Sequence, residues 1–256
     1  MTTREKTKTI LKRIFSVTED AATNEEIRER LLSGGKVTGT NMIVMMCAVV
    51  IASVGLNTDS VAVIIGAMLI SPLMGSILAM SYAAVTADLD LMKRHAVGFG
   101  IQIILSVGTA VIYFLLSPVK GATAQLIART EPTFFDVLVA SAGGVAGIVG
   151  QTRQDKANNI IPGVAIATAL MPPLCTCGYS IAVWNLRMLS GALYLFIINT
   201  YFIFMSAALG LSILNVPKVR EISPQRWKRV RRRMWLNTIL ITLPSIAALF
   251  SIYALK

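Results

Sequence analysis

The chain has 256 residues, of which 55% are hydrophobic and 14% charged, whereas soluble domains carry roughly 25% charged residues. With a mean hydropathy of +0.68, that balance excludes an ordinary soluble enzyme, whose helices would need polar faces. The formal net charge of +11 points to nucleic acid or to an anionic membrane surface, and the placement of the basic residues favours the membrane.

The first forty residues are polar and lack the short apolar core of a secretory signal. Within them, Thr23-Asn24-Glu25-Glu26 is a capping box that predicts a short surface or docking helix ending at Ser33-Gly34-Gly35. Seven apolar runs of membrane length follow, at Asn41–Leu56, Ser60–Ala87, Leu91–Leu116, Phe134–Gly150, Ala157–Trp184, Met188–Leu214 and Met234–Leu255. Gly143 and Gly147, four apart in the fourth run, suit close helix contact in lipid. The stretch Asp88–His95, with Asp90, Lys93 and Arg94, reads as a solvated loop holding the single histidine of the chain.

Lysine and arginine sort by side. Segments 1–40, 88–95, 151–156 and 215–233 hold 20 of the 24, and the alternate connections with the last residue hold four. Basic residues collect on the cytoplasmic side, so the N-terminus is expected inside and the C-terminus outside. The basic linker from Ser223 to Trp235 carries five arginines, one lysine and two tryptophans, which suits a helix lying on anionic lipid headgroups. Nucleic acid is not an expected partner.

A shift of 101 residues lays Val63, Ile65, Leu69, Pro72 and Leu73 on Val164, Ile166, Leu170, Pro173 and Leu174. Each match falls in the middle member of a three-span set, and three spans is an odd number. The second copy therefore enters the membrane from the opposite face, as in the inverted repeats of many transporters. Proline inside a helix removes a hydrogen bond, and in lipid the freed groups need a partner or a water-filled cavity. Ser71-Pro72 looks like a helix start, and Met171-Pro172-Pro173 a firmer break. Two half-helix starts meeting near the midplane would suit an anion or a polar solute, while two kinks packed dry would not. Gln102, Asn199, Thr200 and Thr168 lie at comparable depth, and each amide fits either a solute pathway or a helix contact.

No Asp, Glu, Lys or Arg lies in the interior of a run, Asp59 and Asp136 sitting only at the outer ends of the second and fourth, so a carboxylate relay for proton coupling is not visible. Cys175 and Cys177 lack a nearby histidine and the spacing of a zinc site, and they read as buried thiols. Neither a cofactor nor a metal is expected, and no Ser/His or Asp/Asp pair inside the membrane supports an enzyme.

The run Asn57–Gly75 (NTDSVAVIIGAMLISPLMG), followed by Asp88-Leu89-Asp90, resembles the signature of the domain-of-unknown-function 389 family. Gly163–Gly178 (GVAIATALMPPLCTCG) is similar to its second signature, and Asn199 matches the amide of its sixth span. The resemblance covers Asn41 to Leu214 and implies a prokaryotic membrane protein with an uncharacterised hydrophobic domain. It brings no substrate. Relatives often carry a larger soluble domain ahead of the membrane part, where this chain has about forty residues.

The expected fold is an all-α integral membrane protein of about seven transmembrane helices. A 3+3 inverted repeat (41–116 and 134–214, together the membrane domain 41–214) is joined by a seventh helix, and two helices are broken at proline. The soluble parts are an N-terminal segment 1–40 and a basic linker 215–233, ahead of the seventh span at 234–256. The expected function is a transporter or channel for a small polar or anionic solute, bound by Ser71, Pro72, Gln102, Thr168, Pro172, Pro173, Asn199 and Thr200. The alternative is a non-transporting membrane scaffold or regulatory protein. Assembly into a homo-oligomer is expected, with Ala48/Ala52 and Gly143/Gly147 as candidate contact faces.

Overall fold

Helix starts in the computed structural model follow the capping residues; it describes residues 21–153, 170–214, 216, 217, 232 and 236. Among them are nine helices and no strand. These are α1 Asn24–Gly34, α2 Gly39–Asn57, α3 Val61–Leu69, α4 Leu73–Val85, α5 Leu89–Leu116, α6 Ala124–Ile127, α7 Phe134–Thr152, α8 Met171–Ala182 and α9 Leu186–Ile213. Thr23 and Glu26 form the expected capping box of α1, and Thr133 with Asp136 forms another at α7. Asp88 and Asn185 accept from the N–H groups of Leu91 and Met188 and so open α5 and α9.

Four of these helices, α2, α5, α7 and α9, are long and apolar enough to cross a membrane. The pair α3 and α4 passes the same test together, bent by 47° at Ile70–Pro72, the geometry of a broken span or a re-entrant loop. At 28 residues α5 is about 42 Å long, more than the hydrocarbon core of about 30 Å. Its outward side chains are apolar, with Ile104 72% and Leu116 80% exposed, a surface that lipid tolerates and water does not. The first half of the fifth predicted run and nearly all of the basic linker and of the seventh run lie outside the described residues, as does Thr168.

Packing is through small residues. A Cβ on Gly144 would fall onto Ser206 Oγ and 2.6 Å from the Ile203 carbonyl oxygen, so α7 and α9 cross with their backbones nearly touching. Gly178 meets Ala110 in the same way where α8 lies on α5. The half-length helices hold the centre: α4 packs on α5 and α9, and α8 on α5, α9 and α2. Ala48 and Ala52 are wholly buried, and Gly143 and Gly147 are buried too, so these faces serve contacts within the chain, not contacts between subunits.

Two turns repeat one design. Ala87 (φ 59°) and Trp184 (φ 54°) occupy the left-handed region immediately before the caps Asp88 and Asn185. A residue with a Cβ is disfavoured there by about 1–2 kcal/mol, which the capped helix starts offset. In the connection between α6 and α7, burial pushes the Arg129 guanidinium below its usual range, and the Asp136 carboxylate opposes that shift.

The solvated loop expected at Asp88–His95 is instead the first turns of α5. His95 is buried, with Nδ1 3.1 Å from the Gly35 carbonyl oxygen. The charges at 88–94 hid the helix. Long helices extend past the hydrocarbon and carry their polar first turns in the headgroup layer.

Candidate functional site

The start of α4 is the centre of the site. Pro72 precedes its first residue, and no side chain caps the helix end. Among the described residues Ser71 Oγ reaches only the N–H of Leu73, at 3.5 Å, which is too long to satisfy that donor well. Both Ser71 and Pro72 are half-buried. An uncapped helix start leaves up to about four N–H donors and the positive end of the helix dipole together.

The start of α8 differs. It too lacks a side-chain cap, but Pro172 and Pro173 stand in its first turn and carry no N–H. Every residue from Met171 to Ser180 is buried. Thr176, beyond the break, donates back to the Pro172 carbonyl at 3.0 Å and has no further proton to offer. Of these two helix starts, α4 is therefore the better host for an anion or a polar group.

Gln102 comes from α5 and is 1% exposed. Its Oε1 accepts from Ser76 Oγ at 2.8 Å, which ties the amide to the first turn of α4. On the other side of α4, Ser81 Oγ lies 3.1 Å from the Phe204 carbonyl oxygen of α9. Asn199, also from α9, is buried. Beside Asn199, the Thr200 hydroxyl is buried without a hydrogen-bond partner among the described residues. Thr200 lines a cavity of about 350 Å³ together with Met80, Phe99, Phe196, Tyr201 and Phe204. Phe99 and Phe196 stack on each other in its wall, with ring centroids 6.0 Å apart.

The expected residues thus divide. Ser71, Pro72 and Gln102 share the start of α4 through Ser76, whereas Asn199 and Thr200 are carried by α9, and Thr200 meets the cavity beside Met80, further along α4. Pro172 and Pro173 are packed into α8, and the cavity beside α4 takes only Thr200 from the expected set. Ser76 and His95 were missed as partners. The signal for His95 was present: His95, Gln102, Ser106, Ala110 and Phe114 recur at helical spacing, and all are buried on one face of α5.

A family model described as Domain of unknown function (DUF389) matches residues 68–205, which include the α4 start, Gln102, α8 and Asn199. The chain belongs to this family. Within the DUF389 family the chain is similar to an uncharacterized protein of the archaeon Methanocaldococcus jannaschii, at 29% identity over 212 residues. That match takes in 82% of this chain and 64% of the relative, so the chain covers less than two thirds of the relative's length. No solved structure matches the chain.

Proposed function

We propose that this DUF389 protein is a transporter or channel for a small polar or anionic solute, with its site at the uncapped start of α4. The observation that carries the reading is a helix start without a side-chain cap inside an apolar span, with the buried amide Gln102 fastened to its first turn. Lipid penalises such groups unless neighbouring protein, water or a solute meets them. A dipole with no cationic side chain favours a neutral solute or a monovalent anion over a doubly charged one. No enzymatic step is part of this reading.

An inverted repeat supports it. Residue pairs 97 apart share structure: the left-handed Ala87 and Trp184, the caps Asp88 and Asn185, and the 28-residue helices α5 and α9. The buried amides Gln102 and Asn199 keep the same spacing, and so do Phe99 and Phe196, which touch each other as equivalents beside a two-fold axis must. The sequence match of the prolines at 101 differs from 97 by four residues. One helical turn of slip keeps the same face, so an apolar pattern matches at either offset. Under this reading the fifth and seventh spans complete a plan of seven.

The basic residues set the proposed orientation, with the N-terminus in the cytoplasm of a prokaryotic cell. Lys120 then faces outward and Lys93 inward. A cysteine at Lys120 should react with an impermeant maleimide in intact cells and one at Lys93 only after lysis; the reverse pattern would invert the molecule.

The scaffold reading is favoured by one observation, the dry packing of α8 from Met171 to Ser180. Flux decides between them. Proteoliposomes given an osmotic step in glycerol, formate or sulfate should re-swell faster than protein-free liposomes for glycerol or formate, and least for sulfate. Equal rates with and without protein for all three solutes would leave the scaffold.

A further inference from the structure

We infer that the segment following α1 is a built-in plug, which closes the cytoplasmic approach to the α4 start by seating a backbone carbonyl against it. The purpose of the plug rests on the transport reading, whereas its seating is a matter of geometry. A Cβ placed on Gly75, the third residue of α4, would overlap the carbonyl oxygen of Gly34, so the two backbones touch and tolerate no side chain at Gly75. The next residue is packed as closely. A Cβ on Gly35 would lie 2.6 Å from Ala79 Cβ and 3.0 Å from His95 Nδ1, and the Gly35 carbonyl is itself the hydrogen-bond partner of His95. Val37 then fills the space over Gly98 of α5.

Gly35 is buried and Gly75 half-buried, while Gly34 itself stays exposed. Gly75 is ten residues from the end of α4, about 15 Å along its axis, and within one turn of Pro72. A carbonyl oxygen carries partial negative charge. At the first turn of α4 it lies beside the positive end of the helix, where a solute anion or hydroxyl would be drawn.

The anchor of the plug is polar and sits at the rim. Ile27 and Leu31 bury one face of α1 against the bundle. Arg30 Nη1 donates to the Arg153 carbonyl at 2.6 Å and to that of Gln151 at 3.5 Å, at the end of α7. Ala22 N–H donates to the Thr152 carbonyl at 2.7 Å. A cation on the carbonyls of a helix C-terminus is a favourable contact that water can replace, so the segment can leave without exposing a charge to lipid.

The test reads access, not flux. In a full-length chain with Cys47, Cys175 and Cys177 replaced by alanine, Ser71→Cys is exposed to a negatively charged methanethiosulfonate in inverted and in right-side-out vesicles. From the cytoplasmic face the parent should react slowly. Arg30→Ala and Gly75→Leu should each speed that reaction by about tenfold or more, the factor a lost charge-assisted hydrogen bond is worth. The rate from the outer face should not change. A parent that already reacts as fast as the variants overturns the plug, and so does an unchanged rate in Arg30→Ala while α1 becomes sensitive to protease. Arg30→Ala decides alone if Gly75→Leu does not accumulate. Faster labelling with no solute flux would sink the transport reading and leave the plug, whereas flux with unaltered labelling would sink the plug alone.

Discussion

Gly144→Ala should destabilise the chain by about 3 kcal/mol, the upper part of the range for overpacking a tight interface. The damage comes from the Cβ itself, which meets Ser206 Oγ and the backbone of Ile203. Backbone cannot rotate away as the end of a flexible side chain can. To admit a methyl group, α7 and α9 must separate along their crossing and lose dispersion contacts on both sides. Gly100 and Gly108 on α5 serve as controls, because a Cβ at either meets nothing within 4 Å. Alanine there should be neutral or stabilising by up to about 1 kcal/mol, from helix propensity alone. Thermal unfolding in detergent measures all three. If Gly144→Ala melts with the controls, the close crossing of α7 and α9 is wrong.

Gln102→Leu should lower stability by about 1–2 kcal/mol, because the buried Ser76 hydroxyl loses its acceptor. Adding Ser76→Ala should restore most of that loss, since an apolar pair leaves no polar group unmet. The double variant separates two roles for the amide. If Gln102 only fastens α5 to α4, stability and solute flux recover together. If it also serves the solute, flux stays low in a protein that melts like the parent, and this is the expected result. Full recovery of flux in the double variant would remove Gln102 from the site and leave the α4 start to act by its backbone alone.

Much of the helical framework was legible along the chain because it is written in local terms. The cap Thr23 acts on the N–H group three residues away, and proline acts on its own turn, so a short stretch of residues holds the information. Length and hydropathy supplied the spans in the same way, since the bilayer imposes one thickness on every crossing. Where charge overrode pattern, as at Asp88–His95, a helix was read as a loop. The buried stripe from His95 to Phe114 was the stronger evidence.

The sequence by itself determined most of the described helices, the break at Pro72, the polar residues Gln102 and Asn199 carried into the apolar interior, and the family. Only the tertiary structure decided what those residues meet. It joined Gln102 to Ser76, packed Pro172 and Pro173 into the interior, turned Ala48 and Ala52 inward, and brought Gly34 against Gly75. These are contacts between residues distant in the chain, in a chain whose helices are apolar on nearly every face. Without a polar side to orient each helix, periodicity cannot say which face turns inward. The choice falls to shape: a glycine or serine that lets two backbones approach is visible only when both partners are in place.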